Sequence, residues 1–172
     1  MIKLDVKGLK EEKGSQRHFD VEANLPELDS DENKISFAGP AQIHVDLTNT
    51  GLGILVTGDI HASVNTECAR CLESFKYPVR TDFLETYYDG EKRPFPKMEG
   101  EEEFIPFKGD EIDIQPEVLK SIVLALPIRA LCSELCKGLC SQCGNNLNER
   151  ECGCSQDNVD PRMVKLKELL EQ

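Results

Sequence analysis

The sequence predicts an α+β protein. It has an antiparallel sheet able to curl into a partly closed barrel, one packed helix, a C-terminal cysteine-built knuckle and a short terminal helix. Three observations predict it. Apolar and polar residues alternate with a period of two through most of the first two-thirds of the chain. One stretch near residues 116–125 switches to helical spacing. Six of the eight cysteines fall between Cys132 and Cys154.

Weak strand signals come first, at Ile2–Val6 and Arg17–Ala23. In the next strand Ile43, Val45 and Leu47 alternate with polar neighbours; in the one after it, Ile54, Val56, Ile60, Ala62 and Val64 keep the same period. A period of two puts one face on a core and the other in water. Gly51-Leu52-Gly53 between these runs suits a hairpin turn. Phe75, Tyr77, Val79 and Phe83 give a third such face. Residues 89–103 hold Gly90, Pro94, Pro96, Gly100 and a run of three glutamates, and read as an acidic flexible loop. Phe104-Ile105-Pro106-Phe107 returns the chain to the core. Pro116 and Glu117 suit a helix start, and Val118, Ile122 and Ala125 share one face before Pro127 ends it. A second helix is expected after Asp160-Pro161, with an apolar stripe of Met163, Leu166, Leu169 and Leu170. The expected division is 1–126 as the β-rich domain, 127–160 as the cysteine-rich knuckle and 161–172 as the terminal helix.

Composition narrows the function classes. The net charge is -12, which disfavours broad non-specific binding to a polyanion. Residues 1–126 carry 14 Lys/Arg against 25 Asp/Glu, whereas residues 127–172 carry 6 against 7. The C-terminal segment is therefore the better candidate for any contact with nucleic acid. The longest apolar run, Ile122–Pro127, is far short of the roughly 18 residues a membrane helix needs. The N-terminus lacks a signal-peptide pattern, so a cytoplasmic protein with no membrane partner is expected. Thiols in that compartment stay reduced, and clustered cysteines there act as metal ligands or redox groups.

The cysteine segment reads C-x3-C-x3-C-x2-C-x8-C-x-C from Cys132 to Cys154. Cys140-Ser-Gln-Cys143-Gly144 is a zinc-knuckle element, because a tight turn aims both thiolates at one ion. Cys152 and Cys154 would complete a tetrahedral all-cysteine zinc site, with Cys136 as a possible substitute for either. Four thiolates leave no open position, so the metal is structural. Cys68-Ala-Arg-Cys71 sits at a hairpin tip between two long strands. The pair either joins Cys132 and Cys136 in a second site, or is structural with Arg70 as the functional residue. A redox role for Cys68 and Cys71 would need a helix start beside them, which the pattern does not supply. His18, His44 and His61 are isolated along the chain and read as solvated surface residues. No nucleophile elbow, phosphate loop, dinucleotide fingerprint or paired acid motif is present, so neither enzyme activity nor a small-molecule substrate is proposed by the residues.

Several stretches resemble one bacterial family. Cys68-Ala-Arg-Cys71-Leu72-Glu73 is similar to the CxRCL motif of the YceD family, the large ribosomal RNA subunit accumulation proteins. Glu111-Ile-Asp-Ile114 and Ile122-Val-Leu-Ala-Leu-Pro127 resemble its acidic strand and helix end. Its cysteine-rich C-terminus is matched by Cys136-Lys-Gly-Leu-Cys140, Cys152-Gly-Cys154 and Asp160-Pro-Arg162, with Ser141 where the family often has proline. The resemblance implies a non-enzymatic role in synthesis, processing or stability of large-subunit ribosomal RNA. It implies that RNA or ribosomal proteins as partners, and no catalytic residue. Some members keep the CxRC pair without the later cysteines, which favours a partner-binding hairpin tip. Candidate contact residues are Arg70, Lys76, Arg80, Lys137 and Arg150. The competing expectation is a zinc-stabilised protein-interaction module that never touches RNA.

Overall fold

The computed structural model describes residues 1–30, 33–91 and 104–154, with the side chains of residues 29, 30, 33 and 34 excepted. The strands are β1 (Lys3–Asp5), β2 (Gln16–Ala23), β3 (Leu28–Ser30), β4 (Asn33–Phe37), β5 (Ala41–Asn49), β6 (Ile54–Glu67), β7 (Ser74–Asp89), β8 (Phe104–Phe107) and β9 (Glu111–Asp113); the helix is α1 (Gln115–Ala125). Among the described residues the fold is mostly sheet with one helix.

The spine is the long β6–β7 hairpin, paired antiparallel from Ile54↔Tyr87 to Glu67↔Ser74. The other edge of β6 is shared. Its first half pairs with β5, from Asn49↔Ile54 to Gln42↔His61, and its second half meets β4 at Ser36↔Asn65 and Phe37↔Val64. β2 extends the sheet from β5, and β3 extends it from β4. The seven-stranded sheet curls into a half-barrel and does not close. β1 and β9 form a separate two-stranded ribbon.

The expectation of a wholly antiparallel sheet needs one correction. β8 runs parallel to β7, from Thr86↔Phe104 to Asp89↔Phe107. A parallel neighbour requires a crossover of about a dozen residues or more, and residues 90–103 supply that length. The expected acidic loop falls largely on residues 92–103, and the expected terminal helix wholly on residues 161–172. Both lie outside the described residues.

Alternation builds the core. Ile43, Val45 and Leu47 of β5 and Val56 and Ile60 of β6 are fully buried, as is Ile112 of β9. α1 adds Val118 and Ile122 to the same cluster. Burying each such side chain contributes roughly 1.5–3 kcal/mol. The helix start is capped from outside: Asp113 Oδ1 accepts from the Gln115 N–H at 3.0 Å and from the Ile2 N–H at 3.2 Å. The helix stops because Leu126, preceding Pro127, is driven to extended angles (φ -71°, ψ 134°). The chain then runs back to the far end of the β6–β7 hairpin, where Ala69 N–H donates to Ala130 O at 2.8 Å.

Candidate metal centres

Two groups of four cysteines form in this part of the molecule, and together they use all eight. The first unites Cys68 and Cys71 from the hairpin tip with Cys132 and Cys136; the second unites Cys140, Cys143, Cys152 and Cys154. Within each group all sulfurs lie within 4.8 Å of one another. Cys68 Sγ is 3.8 Å from Cys136 Sγ, and Cys71 Sγ is 3.7 Å from Cys132 Sγ. Those separations are far beyond a disulfide bond of about 2.05 Å. They equal the edge of a tetrahedron with sulfur about 2.3 Å from its centre, roughly 3.8 Å. The clusters could hold metal ions.

The two Cys-x-x-Cys turns share one backbone design. Leu72 N–H donates to Cys68 O at 2.9 Å, and Gly144 N–H donates to Cys140 O at 2.9 Å. The residue after each pair is left-handed, Leu72 at φ 60° and Gly144 at φ 71°. In the second turn the Gln142 N–H reaches Cys140 Sγ at 3.4 Å. A left-handed residue closes the turn and points amides at the sulfurs. Glycine takes that conformation without cost, whereas leucine is strained there by about 1–2 kcal/mol. The glycine marked the second turn in the sequence; no glycine marked the first.

Arg70 fastens the first group. Its guanidinium donates to Cys136 O at 2.9 Å and to Glu134 O at 3.3 Å, and its own carbonyl accepts from Leu139 N–H at 3.1 Å. Gly138, at φ 75°, passes so close that a β-carbon there would stand 3.1 Å from Arg70 O. Arg70 thus reaches onto the C-terminal segment while its residue stays exposed. Asn148 Nδ2 donates to Cys136 Sγ at 3.2 Å. Phe75 and Leu131 pack against the buried sulfurs of Cys68, Cys71 and Cys136. Cys136 therefore stands in the first group and not beside Cys152 or Cys154. The other proposed contact residues diverge: Lys76 and Arg80 are exposed on β7, Lys137 lies 3.7 Å from Glu151, and Arg150 donates to Asn145 Oδ1 at 3.2 Å.

The thiols within a group differ. Backbone N–H groups of Cys132 and Cys71 directed at Cys68 lower its pKa to about 6. Backbone N–H groups of Cys143 and Gln142 do the same for Cys140, again to about 6. Burial and the neighbouring sulfurs push Cys132 up to about 12. The sulfurs of Cys143 and Cys152 push Cys154 up to about 12. Each metal-free group thus holds one thiol that ionises readily and another that resists, because its thiolate would be crowded by neighbouring sulfurs. A divalent cation removes that obstacle.

All three histidines are exposed, as expected, but His18 and His44 have carboxylate partners that the sequence did not reveal. Cross-strand register places His18 opposite Asp46 and Asp20 opposite His44 on the outer face of β2 and β5. His18 Nδ1 is 2.9 Å from Asp46 Oδ1, and His44 Nδ1 is hydrogen-bonded to Asp20 Oδ1. These pairs are remote in sequence, and only the register reveals them.

Comparison with known sequences bears on the same region. The sequence model described as Large ribosomal RNA subunit accumulation protein YceD matches residues 56–170. The chain belongs to the YceD family. An uncharacterized protein of Mycobacterium tuberculosis is 34% identical over 118 residues, 69% of this chain and 56% of that protein. An uncharacterized protein of Mycobacterium leprae is 27% identical, over 79% of this chain and 62% of its own. The Arabidopsis thaliana protein named Large ribosomal RNA subunit accumulation protein YCED homolog 1, chloroplastic, is 28% identical over 77% of this chain and 49% of its own. This YceD-family chain spans about half the length of the curated relatives it matches. No solved structure matches it. The family name ties these proteins to accumulation of large-subunit ribosomal RNA. Among the described residues, no helix is long and apolar enough to cross a membrane.

Proposed function

We propose that this chain is a non-enzymatic cytoplasmic factor in the synthesis, processing or stability of large-subunit ribosomal RNA. Its C-terminal segment is held to the sheet by structural zinc. Cys68, Cys71, Cys132 and Cys136 bind one ion, and Cys140, Cys143, Cys152 and Cys154 bind the other. The observation that carries the reading is the family match over residues 56–170, which takes in the β6–β7 hairpin and all eight cysteines. The tetrahedral sulfur spacing supports zinc over redox chemistry. Although the Cys68 thiol ionises readily, its residue is 0% exposed, so no substrate disulfide could reach the sulfur. The division into a β-rich unit (1–126), a zinc knuckle (127–160) and a terminal helix (161–172) is part of the same proposal.

Contact with RNA phosphates would fall to exposed cations such as Lys76 and Arg80. The acidity of residues 1–126 favours a basic ribosomal protein as the other partner. Affinity capture from a lysate of the native host, followed by RNA and protein identification, tests this. Large-subunit ribosomal RNA or ribosomal proteins are expected; recovery of neither sinks the proposal. Capture of ribosomal protein that survives ribonuclease, with no binding to RNA fragments, would favour the protein-interaction module.

A further inference from the structure

All three histidines of the chain lie on one exposed sheet face: His18 on β2, His44 on β5 and His61 on β6. They alternate there with carboxylates. Register sets Asp20, His44, Asp59 and Asp82 in one row across four strands, and His18 and Asp46 in the next. Within this grid the nitrogens of His18 and His44 and an oxygen of Asp20 lie within 4.8 Å of one another. His18 Nε2 is 3.2 Å from Asp20 Oδ1, and His44 Nδ1 is hydrogen-bonded to that same oxygen. Two imidazoles thus converge on one carboxylate from neighbouring strands.

We propose that His18, Asp20 and His44 form a third metal site of different chemistry, for an exchangeable divalent transition cation. His18 Nε2, His44 Nδ1 and an Asp20 carboxylate oxygen are the ligands. Asp46 accepts the hydrogen bond of His18 Nδ1 at 2.9 Å, so the far nitrogen keeps its proton while Nε2 turns to the ion. A carboxylate behind a ligating imidazole fixes the ring and raises its basicity, which is the usual outer support of such ligands. Imidazole with carboxylate suits zinc, nickel, copper or iron(II), and not calcium or magnesium. A second feature of the face points the same way. Asp59 and Asp82 stand directly opposite each other on β6 and β7, an arrangement that like charges destabilise and a cation in the same row offsets. The side chains of His18, His44 and Asp20 are 53%, 50% and 67% exposed. The ion would therefore exchange with solution, unlike one sealed by four thiolates. Three protein ligands leave a coordination position for water or for a side chain of a bound molecule.

The site is tested on untagged full-length protein that is loaded with zinc and then dialysed against a weak chelator so that exchangeable zinc is removed, titrated with Ni²⁺ and monitored calorimetrically and by absorbance, with released zinc assayed in parallel. One saturable Ni²⁺ equivalent is expected, without zinc release and without a sulfur-to-nickel charge-transfer band. It should vanish in His18→Ala/His44→Ala and weaken about 10-fold or more in Asp46→Asn. It should persist in Cys68→Ser/Cys71→Ser. Because the altered side chains are exposed, circular dichroism of the variants should match wild type. His44→Gln, of similar size, provides a second variant that should also lose the ion. Saturable binding that survives both histidine variants, zinc release in step with nickel uptake, or no saturable binding would each overturn the proposal.

Discussion

Replacing Cys68 and Cys71 together by serine removes two of the four sulfurs that would join the hairpin tip to the C-terminal segment. The consequence can be scaled from chain connectivity. Cys68 and Cys136 are 68 positions apart, and a metal holding both closes that loop as a covalent link would. Loop-closure entropy for such a span is about 4 kcal/mol. Since every 1.4 kcal/mol is tenfold in an equilibrium, the unfolded population, in which the segment is free of the hairpin, should rise about a thousandfold. Limited proteolysis within residues 127–131 reports that population when opening and closing outpace cleavage. Zinc per chain should fall from two to one in the same variant. Cys132→Ser, which attacks the same site from the other arm, should reproduce both changes. Two zinc ions retained in both variants, or cleavage rates within about tenfold of wild type, would refute the clamp.

Four smaller tests bear on the same geometry. Zinc binding at pH 7.5 should release fewer than four protons per site, because Cys68 and Cys140 ionise readily beforehand; calorimetry in buffers of different ionisation heat measures this. Arg70→Ala removes the guanidinium bonds to Cys136 O and Glu134 O. It should cost about 1–2 kcal/mol in chemical denaturation and weaken zinc at the first site while leaving the second unchanged. Leu72→Gly should stabilise the fold by about 1 kcal/mol, because it relieves a left-handed leucine whose side chain is 62% exposed. In metal-free protein, the hydrogen bonds His18 donates to Asp46 and then to Asp20 raise its pKa above 6.5, so its contribution is complete below that pH and is lost as pH climbs through the folded value. NMR titration should show that elevation, and Asp46→Asn should reduce it.

What could be read in advance followed physical periodicity. Ile43–Leu47 and Ile54–Val64 alternate strictly because one sheet face is buried, so β5, β6 and the turn at Gly51–Gly53 were legible. β3 and β4 were not: their short strands are rich in Asp, Ser, Asn and Lys and owe their pairing to the neighbouring β6. The direction of β8 was hidden because apolar Phe104–Phe107 fits either a parallel or an antiparallel edge. Cysteine spacing offered the division into Cys140, Cys143, Cys152, Cys154 and Cys68, Cys71, Cys132, Cys136, but left open which group Cys136 serves and whether the hairpin pair ligates at all. Cys136 lies as near in sequence to Cys140 as to Cys132, and only the folded path turns its sulfur toward Cys68. Arg70 was named as a tip residue, but its bonds to the C-terminal segment were hidden because the carbonyl partners lie 64 and 66 residues away.

The two thiolate sites, so placed, are unequal in what they hold. An ion in the second would close a loop within its own segment, from Cys140 to Cys154, and among the described residues would tie nothing else to the sheet. The first joins strands of the core to that segment, and Gly138 and Leu139 carry the connection directly over Arg70. Losing the second ion should leave the first in place, whereas losing the first should free both from the sheet. Charge follows the same geometry. A divalent ion in four thiolates carries a net −2, so two such sites would move the chain from -12 to about −16. Hydrogen bonds from Gln142 and Asn148 to sulfur spread that charge without cancelling it. With both proposed ions bound, phosphate would therefore be repelled by the cysteine-rich end as well as by the sheet. The electrostatics favour a basic protein as the link between this chain and ribosomal RNA, with direct RNA contact confined to isolated cations such as Lys76 and Arg80.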